Sequence, residues 1–355
     1  LKEDIESAVL VDGVASICDR AFSECWRLRF VQIPKSVASF GESPFTLCTN
    51  LEVIDVSENQ NFVFDNGVLM DREMTQIIYC DLYKSGDYSI PSTVTTICEG
   101  AFYGCDKLTS IVIPDSVTSI GDGAFCGCDH LLSITIPNSV AFIGSRVFLY
   151  CEQLSSIEVP NSVKEIGGEA YASCCEMESI AIAGSVETLG ANPFSACCNL
   201  SEITVTGEGG NIRMVDGVLF NGDMTRLIWC SKEKSGSYVI PSTVKTIDND
   251  AFHSCKDLTS ITLPDSITKI DFWTFHDCTG LTSVVIPDSV TSIGFYAFYN
   301  CTSLKSVTIP DVVTSIDNYA FERCKKIAEF FIPSSVSSIG DNPFVECEQL
   351  RRIEV

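Results

Sequence analysis

The sequence predicts a mainly β fold with short helical or 3-10 turns, wound as a solenoid of stacked coils. Three observations carry that prediction. An aliphatic-proline step recurs every 23 residues, at Pro91, Pro114, Pro137 and Pro160 and again at Pro241, Pro264, Pro287, Pro310 and Pro333. Each proline sits in one consensus, L-x-S-I-x-I-P-x-S-V-x-S-I-G-x-x-A-F-x-x-C-x-x. Twelve turns close on a cysteine: Cys25, Cys48, Cys105, Cys128, Cys151, Cys174, Cys197, Cys255, Cys278, Cys301, Cys324 and Cys347. A strict short period over most of a chain means units that touch only their neighbours and build a core by stacking. The expected organisation is a single solenoid over residues 1–355, with inserts at 57–90 and 206–240.

Each element of the coil has a reason. Leu108, Ile111 and Ile113 alternate like a strand and are rich in β-branched residues. Pro114 ends that strand, since it has no N–H for a continuing ladder. Val117 and Ile120 read as a second, returning extended segment; Gly121 permits a turn. Ala124, Phe125 and Cys128 are expected to close the coil with a helical or 3-10 turn. Ala183 occupies the proline position of one further unit, Pro34 joins the first series, and Val11 stands in for its predecessor.

These units resemble the BspA-like leucine-rich repeat proteins, whose signature is IP-x-SV-T-x-IG-x-x-AF-x-x-C; the stretch 113–128, IPDSVTSIGDGAFCGC, matches it nearly residue for residue. The resemblance covers almost the whole chain. It implies a right-handed, curved solenoid with a parallel sheet on one face, carried by surface or secreted proteins of host-associated anaerobic microbes and often used for adhesion.

Two places break the rhythm: 57 residues separate Pro34 from Pro91, and 58 separate Ala183 from Pro241. The extra segments match each other, DNGVLMDREMTQIIYC (65–80) beside VDGVLFNGDMTRLIWC (215–230). Asn66-Gly67 and Asp216-Gly217 are hairpin-turn dipeptides, so each segment reads as a β-hairpin or small sheet looped out of the solenoid. Before each insert x-Ala-Phe becomes Ser43-Pro44-Phe45 or Asn192-Pro193-Phe194, and the motif returns as Asn342-Pro343-Phe344. This super-repeat predicts a native chain running past Val355 into a third insert.

Composition excludes several classes of function. Acidic residues number 47 against 23 basic ones, a net charge of −24 that repels phosphate backbones and anionic lipid. No nucleic-acid partner and no direct membrane insertion are expected, since no apolar run reaches 18 residues.

Candidate chemistry is sparse. The cysteine position beside the inward Phe suits a buried thiol. There is no C-x-x-C, and Cys126/Cys128 makes a poor zinc pattern. Stacking brings Cys174/Cys175 near Cys197/Cys198, leaving a disulfide open as an alternative. His130, His253 and His276 read as solvated surface residues without a triad or metal partner. Asp115, Asp265 and Asp288 with Ser116, Ser139 and Ser289 form ladders that read as turn hydrogen bonding rather than calcium sites. Phosphate-loop, dinucleotide and nucleophile-elbow motifs are absent. No enzyme activity, cofactor or metal is expected. Asn199 and Asn300 fit a glycosylation pattern that matters only for a eukaryotic secretory source.

Variable outward positions are where a solenoid holds specificity. The strand face offers small, flat residues such as Ser110/Val112 and Ser133/Thr135. After the turn glycine, Phe272, Trp273, Phe295, Tyr296 and Tyr319 fall in register, with Tyr299 close by. Aromatic residues repeated at outward positions suit a binding hot spot. The inserts add Tyr79, Tyr83, Trp229 and Arg72. The expected function is a non-enzymatic binding module, on the cell surface or secreted, recognising a protein or glycan on host or neighbouring microbes. The alternative is a structural spacer or intracellular scaffold without a ligand of its own.

Overall fold

The computed structural model describes residues 4–207 and 210–355; residues 208 and 209, inside the expected second insert, lie outside the described residues. The chain forms two compact units, Leu1–Leu200 with Thr206–Gly209, and Ser201–Val205 with Gly210–Val355. Each is a stack of coils, and no α-helix occurs among the described residues.

In the first unit Leu108–Val112 pairs in parallel with Ser133–Thr135, placing Ile111 opposite Ile134. Ile111 and Ile134 are buried while Val112 is exposed, the alternation that the sequence pattern requires. The V-x-S-I segment forms a second parallel ladder through Thr96–Ile97, Ser119–Ile120, Phe142–Ile143, Glu165–Ile166 and Thr188–Leu189. The second unit repeats both ladders, with Leu258–Thr262, Ser283–Val285 and Ser306–Val307 in one. Lys269–Ile270, Ser292–Ile293, Ser315–Ile316 and Ser338–Ile339 form the other.

The third side of the coil corrects the expected helical turn. Residues two and six places after the turn glycine are left-handed in coil after coil, as at Gly123 and Gly127, Arg146 and Tyr150, or Glu169 and Ser173. Local i-to-i−3 bonds survive, such as Ala124 N–H to Gly121 O at 3.2 Å and Cys126 N–H to Gly123 O at 3.0 Å. Alternate amides turn to the next coil instead: Gly123 N–H bonds Ser145 O, Phe125 N–H bonds Val147 O, and Gly127 N–H bonds Leu149 O, at 2.7–3.0 Å. A helix would consume those donors within the coil. Here they lace coils together, and the left-handed residues aim them outward.

Phe125 belongs to a continuous ring stack. Phe102, Phe125, Phe148, Tyr171 and Phe194 lie 5.2–6.0 Å apart at centroids, and the second unit stacks Phe252, Phe275, Phe298, Phe321 and Phe344 at 5.1–5.9 Å. The cysteine position is structural. Cys151 Sγ donates to Phe125 O in the preceding coil at 3.2 Å, and Cys128, Cys174, Cys278, Cys301 and Cys324 repeat the bond at 3.1–3.3 Å. The serine ladder does likewise, Ser116 Oγ to Val94 O and Ser139 Oγ to Val117 O, both at 2.6 Å. Gly121 is not left-handed. A Cβ there would sit 2.6 Å from Glu99 N, so the glycine permits close approach of coils rather than a special turn.

The inserts are three-stranded meanders rather than looped-out hairpins. Phe62–Asp65, Val68–Asp71 and Gln76–Cys80 run antiparallel, and Gln76–Cys80 then pairs in parallel with Thr96–Ile97. Ile212–Val215, Val218–Asn221 and Arg226–Cys230 repeat this and join Thr246–Ile247. Both dipeptides of the first turn have positive φ, 47° and 80° at Asn66-Gly67 and 47° and 76° at Asp216-Gly217, the geometry of a tight hairpin. Val68, Leu69, Ile77 and Cys80 are fully buried. The apolar third strand therefore stands where a coil would have been, which is why the insert lies in the stack.

A candidate binding face on the turn ladder

The outer side of the turn ladder is formed by the first, second, fifth and sixth positions after the turn glycine, although some fifth-position residues, such as Cys126 and Ala172, are buried. In the coils 271–278, 294–301 and 317–324 these positions bring together the predicted Phe272, Trp273, Phe295, Tyr296, Tyr299 and Tyr319. Phe295 is the hub: its centroid lies 4.3 Å from Tyr296, 6.0 Å from Tyr319, 6.1 Å from Trp273 and 6.5 Å from Phe272. Tyr296 stacks on Tyr319 at 4.9 Å and meets Tyr299 edge-on at 5.1 Å. Phe272 is 48% exposed and the others are half-buried by one another. Arg323 borders the patch, donating from Nη1 to Tyr299 Oη, with Nε 2.8 Å from Glu346. That pair holds the Glu346 carboxyl below its usual range.

These aromatics share the left-handed backbone of their column with Arg146 and Glu169 of the first unit. Trp273, Tyr296 and Tyr319 have φ of 54°, 53° and 58°. A left-handed residue with a bulky side chain costs about 1–2 kcal/mol. Their amides are pinned across coils, Trp273 N–H to Phe295 O at 3.0 Å and Tyr296 N–H to Asn318 O at 3.2 Å, so the scaffold imposes the conformation.

Other candidates fall elsewhere. Tyr79 and Trp229 are only 5% and 7% exposed, packed inward from the apolar third strand of each insert, and so do not offer a surface. Tyr79 meets Phe45 edge-on at 5.4 Å, and burial pushes its hydroxyl pKa well up. Tyr83 and Arg72 are exposed. Val112 and Val285 are exposed on the strand face. Cys175 and Cys198 both point at Ala196 O, 3.8 and 3.5 Å away. His130 is exposed, but His253 and His276 are not solvated residues: their side chains are 17% and 21% exposed and their rings stack at 4.9 Å.

A second feature has no motif to announce it. In the first unit the same turn positions form a groove of about 830 Å³, walled by Tyr103, Leu149, Tyr150, Arg20, Glu99 and Arg146. Arg20 pairs with Glu99 at 3.2 Å and Arg146 with Glu169 at 2.7 Å. Its one signal in the sequence is the run of small residues Gly100, Gly123 and Gly168 in those columns, which leaves the trough unfilled.

Stacked coils with two parallel ladders, a ring-filled core and a hydrogen-bonded turn ladder define a β-solenoid repeat protein whose distinguishing chemistry is confined to outward side chains. The chain belongs to the BspA-type leucine-rich repeat family, whose model matches residues 2–81, 78–201 and 229–354 in six copies. A leucine-rich cell surface protein of Faecalibacterium prausnitzii is similar in structure with a TM-score of 0.67 and 31% identity, over 99% of this chain and 87% of that one. The pneumococcal vaccine antigen PcpA shares the fold at a TM-score of 0.64 and 23% identity, over 83% of this chain and 87% of its own. A leucine-rich repeat protein of Eubacterium ventriosum does so at 0.51 and 22%, over 81% and 94%. No curated protein matches the chain in sequence. Among the described residues, no helix is long and apolar enough to cross a membrane.

Proposed function

We propose that the chain is a non-enzymatic binding module of a cell-surface or secreted protein, engaging a protein or glycan of a host or neighbouring microbe through the turn-ladder face. The observation that carries this reading is the Phe272, Trp273, Phe295, Tyr296 and Tyr319 cluster, held outward in conformations that glycine or asparagine would adopt at lower cost. Rigid aromatic clusters lose little side-chain entropy on binding. The likeness to a Faecalibacterium cell surface protein supports the location.

The test is a screen of the purified chain against glycan and extracellular-protein arrays, followed by affinity measurement with Trp273→Asn and Tyr296→Asn. Asparagine tolerates the left-handed backbone, so folding is retained. The expected result is a ligand whose affinity falls at least about tenfold in each variant, the loss of a hot-spot contact. A ligand bound equally well by both variants would remove the patch from the function, and the absence of any ligand would favour a spacer.

A further inference from the structure

We infer that His253, His276 and Asp277 form a binding site for a divalent transition-metal ion of the zinc class, independent of whether the aromatic patch binds a macromolecule. His253 and His276 occupy the same position of adjacent coils, with rings 4.9 Å apart and inclined by only 13°. The Nδ1 atoms of both are shielded from solvent and make no hydrogen bond. Each instead faces a carboxylate: Asp250 Oδ1 is 3.5 Å from His253 Nδ1, and Asp277 Oδ2 is 3.4 Å from His276 Nδ1. One ligand atom from each of His253, His276 and Asp277 lies within 4.8 Å of the other two.

Imidazole nitrogen with carboxylate oxygen is a donor set for zinc, cobalt or nickel, while magnesium and calcium take oxygen ligands. Zinc bonds of about 2.0–2.2 Å place tetrahedral ligands roughly 3.3 Å apart. The three atoms therefore need to close by about 1.5 Å at most to reach that spacing. The outer surroundings already resemble those of a metal site. Asn300 Nδ2 donates to Asp277 Oδ1 at 2.7 Å and fixes that carboxylate, and the Tyr299 ring stacks on His276 at 4.6 Å. Such supporting contacts orient ligands and tune affinity. The chain has three histidines, and the first unit has none at this turn position.

Zinc(II) titrated calorimetrically into the full, chelator-treated chain is expected to bind one equivalent. His253→Gln and His276→Gln should each weaken it by more than about 100-fold, and Asn300→Ala by about 10–100-fold, as for an outer-shell partner. Cobalt(II) provides a readout that needs no variant: the ring-proton signals of two histidines should shift or broaden while that of the exposed His130 stays sharp. Stoichiometric binding unchanged in both histidine variants would overturn the site. So would cobalt–thiolate charge-transfer bands, equal broadening of all three histidines, or no binding at all.

Discussion

The turn ladders of the two units share one backbone and carry opposite surfaces. In the first unit the leading pair of outward positions reads Glu99-Gly100, Asp122-Gly123, Ser145-Arg146 and Gly168-Glu169; in the second it reads Asn249-Asp250, Phe272-Trp273, Phe295-Tyr296 and Asn318-Tyr319. Small residues leave a charged trough of about 830 Å³ in one, and rings fill the same columns in the other. Hydrogen bonding along both ladders is nevertheless equivalent, Gly123 N–H to Ser145 O at 2.7 Å matching Trp273 N–H to Phe295 O at 3.0 Å. The main chain and the inward rings carry the fold, so outward chemistry can change from coil to coil at a limited conformational cost.

That equivalence of cores can be broken most forcefully at the ring stack. Phe125 and Phe275 are both fully buried between stacked neighbours. Alanine at either position should destabilise its unit by about 3–5 kcal/mol, through lost burial and an unfilled cavity. Urea unfolding followed by circular dichroism measures it. A loss below about 1 kcal/mol at one site would show that the two cores are not packed alike.

A smaller effect is expected at the turn-glycine column, which both units fill with a mixture of glycine and other residues. At Gly144 an added Cβ would lie 2.6 Å from Asp122 N, so these two coils approach too closely for a side chain, although Cys98 is accommodated in the same column of the first unit. The second unit mixes Asp248, Asp271 and Asp317 with Gly294 and Gly340 in that column, and a Cβ at Gly340 would lie 2.3 Å from Asn318 N. Asp248 is buried there and pairs with Arg226 of the insert, Nε to Oδ1 at 2.7 Å. Gly144→Ala should cost about 1–3 kcal/mol, the range for forcing a packed contact apart. If Gly144→Ala matches the wild-type unfolding midpoint, coil spacing is adjustable and the glycine column is not a packing requirement.

The coil is legible in the sequence because inward positions recur with the period and a stack admits few other arrangements. Ile111, Phe125 and Cys128 all point where the pattern places them. Hydrogen-bond partners are less legible. A-F-x-x-C looks helical locally, and only the neighbouring coil, 23 residues away, competes for its amides. The inserts mislead for a similar reason. Tyr79 and Trp229 lie in the apolar runs QIIYC and RLIWC, which by themselves do not say which side faces out, and Gln76–Cys80 and Arg226–Cys230 join the coil ladder and draw them inside. The outward aromatic cluster is readable because its members repeat in one column. The histidine pair is readable as a stack, but its shielding and its carboxylate neighbours come from residues whose spacing gives no motif.

The smallest expected difference between the units lies in their response to alkali. Besides the ladder thiols, the first unit holds Cys98 in the glycine column and Cys126 at the fifth turn position, both pushed up to about 11 by burial. The corresponding columns of the second unit hold Asp271 and His276, among others. An unfolded thiol ionises near 8.5. Below that pH the thiol is protonated in both states and its contribution is fully present. Above it the unfolded chain releases protons that the folded chain retains, so stability declines as pH rises toward about 11. Ladder thiols such as Cys128 and Cys278 are raised by burial as well, so both units weaken, the first more steeply. Between pH 8 and 9.5, below tyrosine ionisation near 10, the urea midpoint should fall, and Cys98→Ala with Cys126→Ala should flatten that fall. A midpoint independent of pH over this range would mean that these thiols reach water, and the same slope in the double variant would assign the effect to the remaining thiols that burial raises, the shared ladder and Cys175.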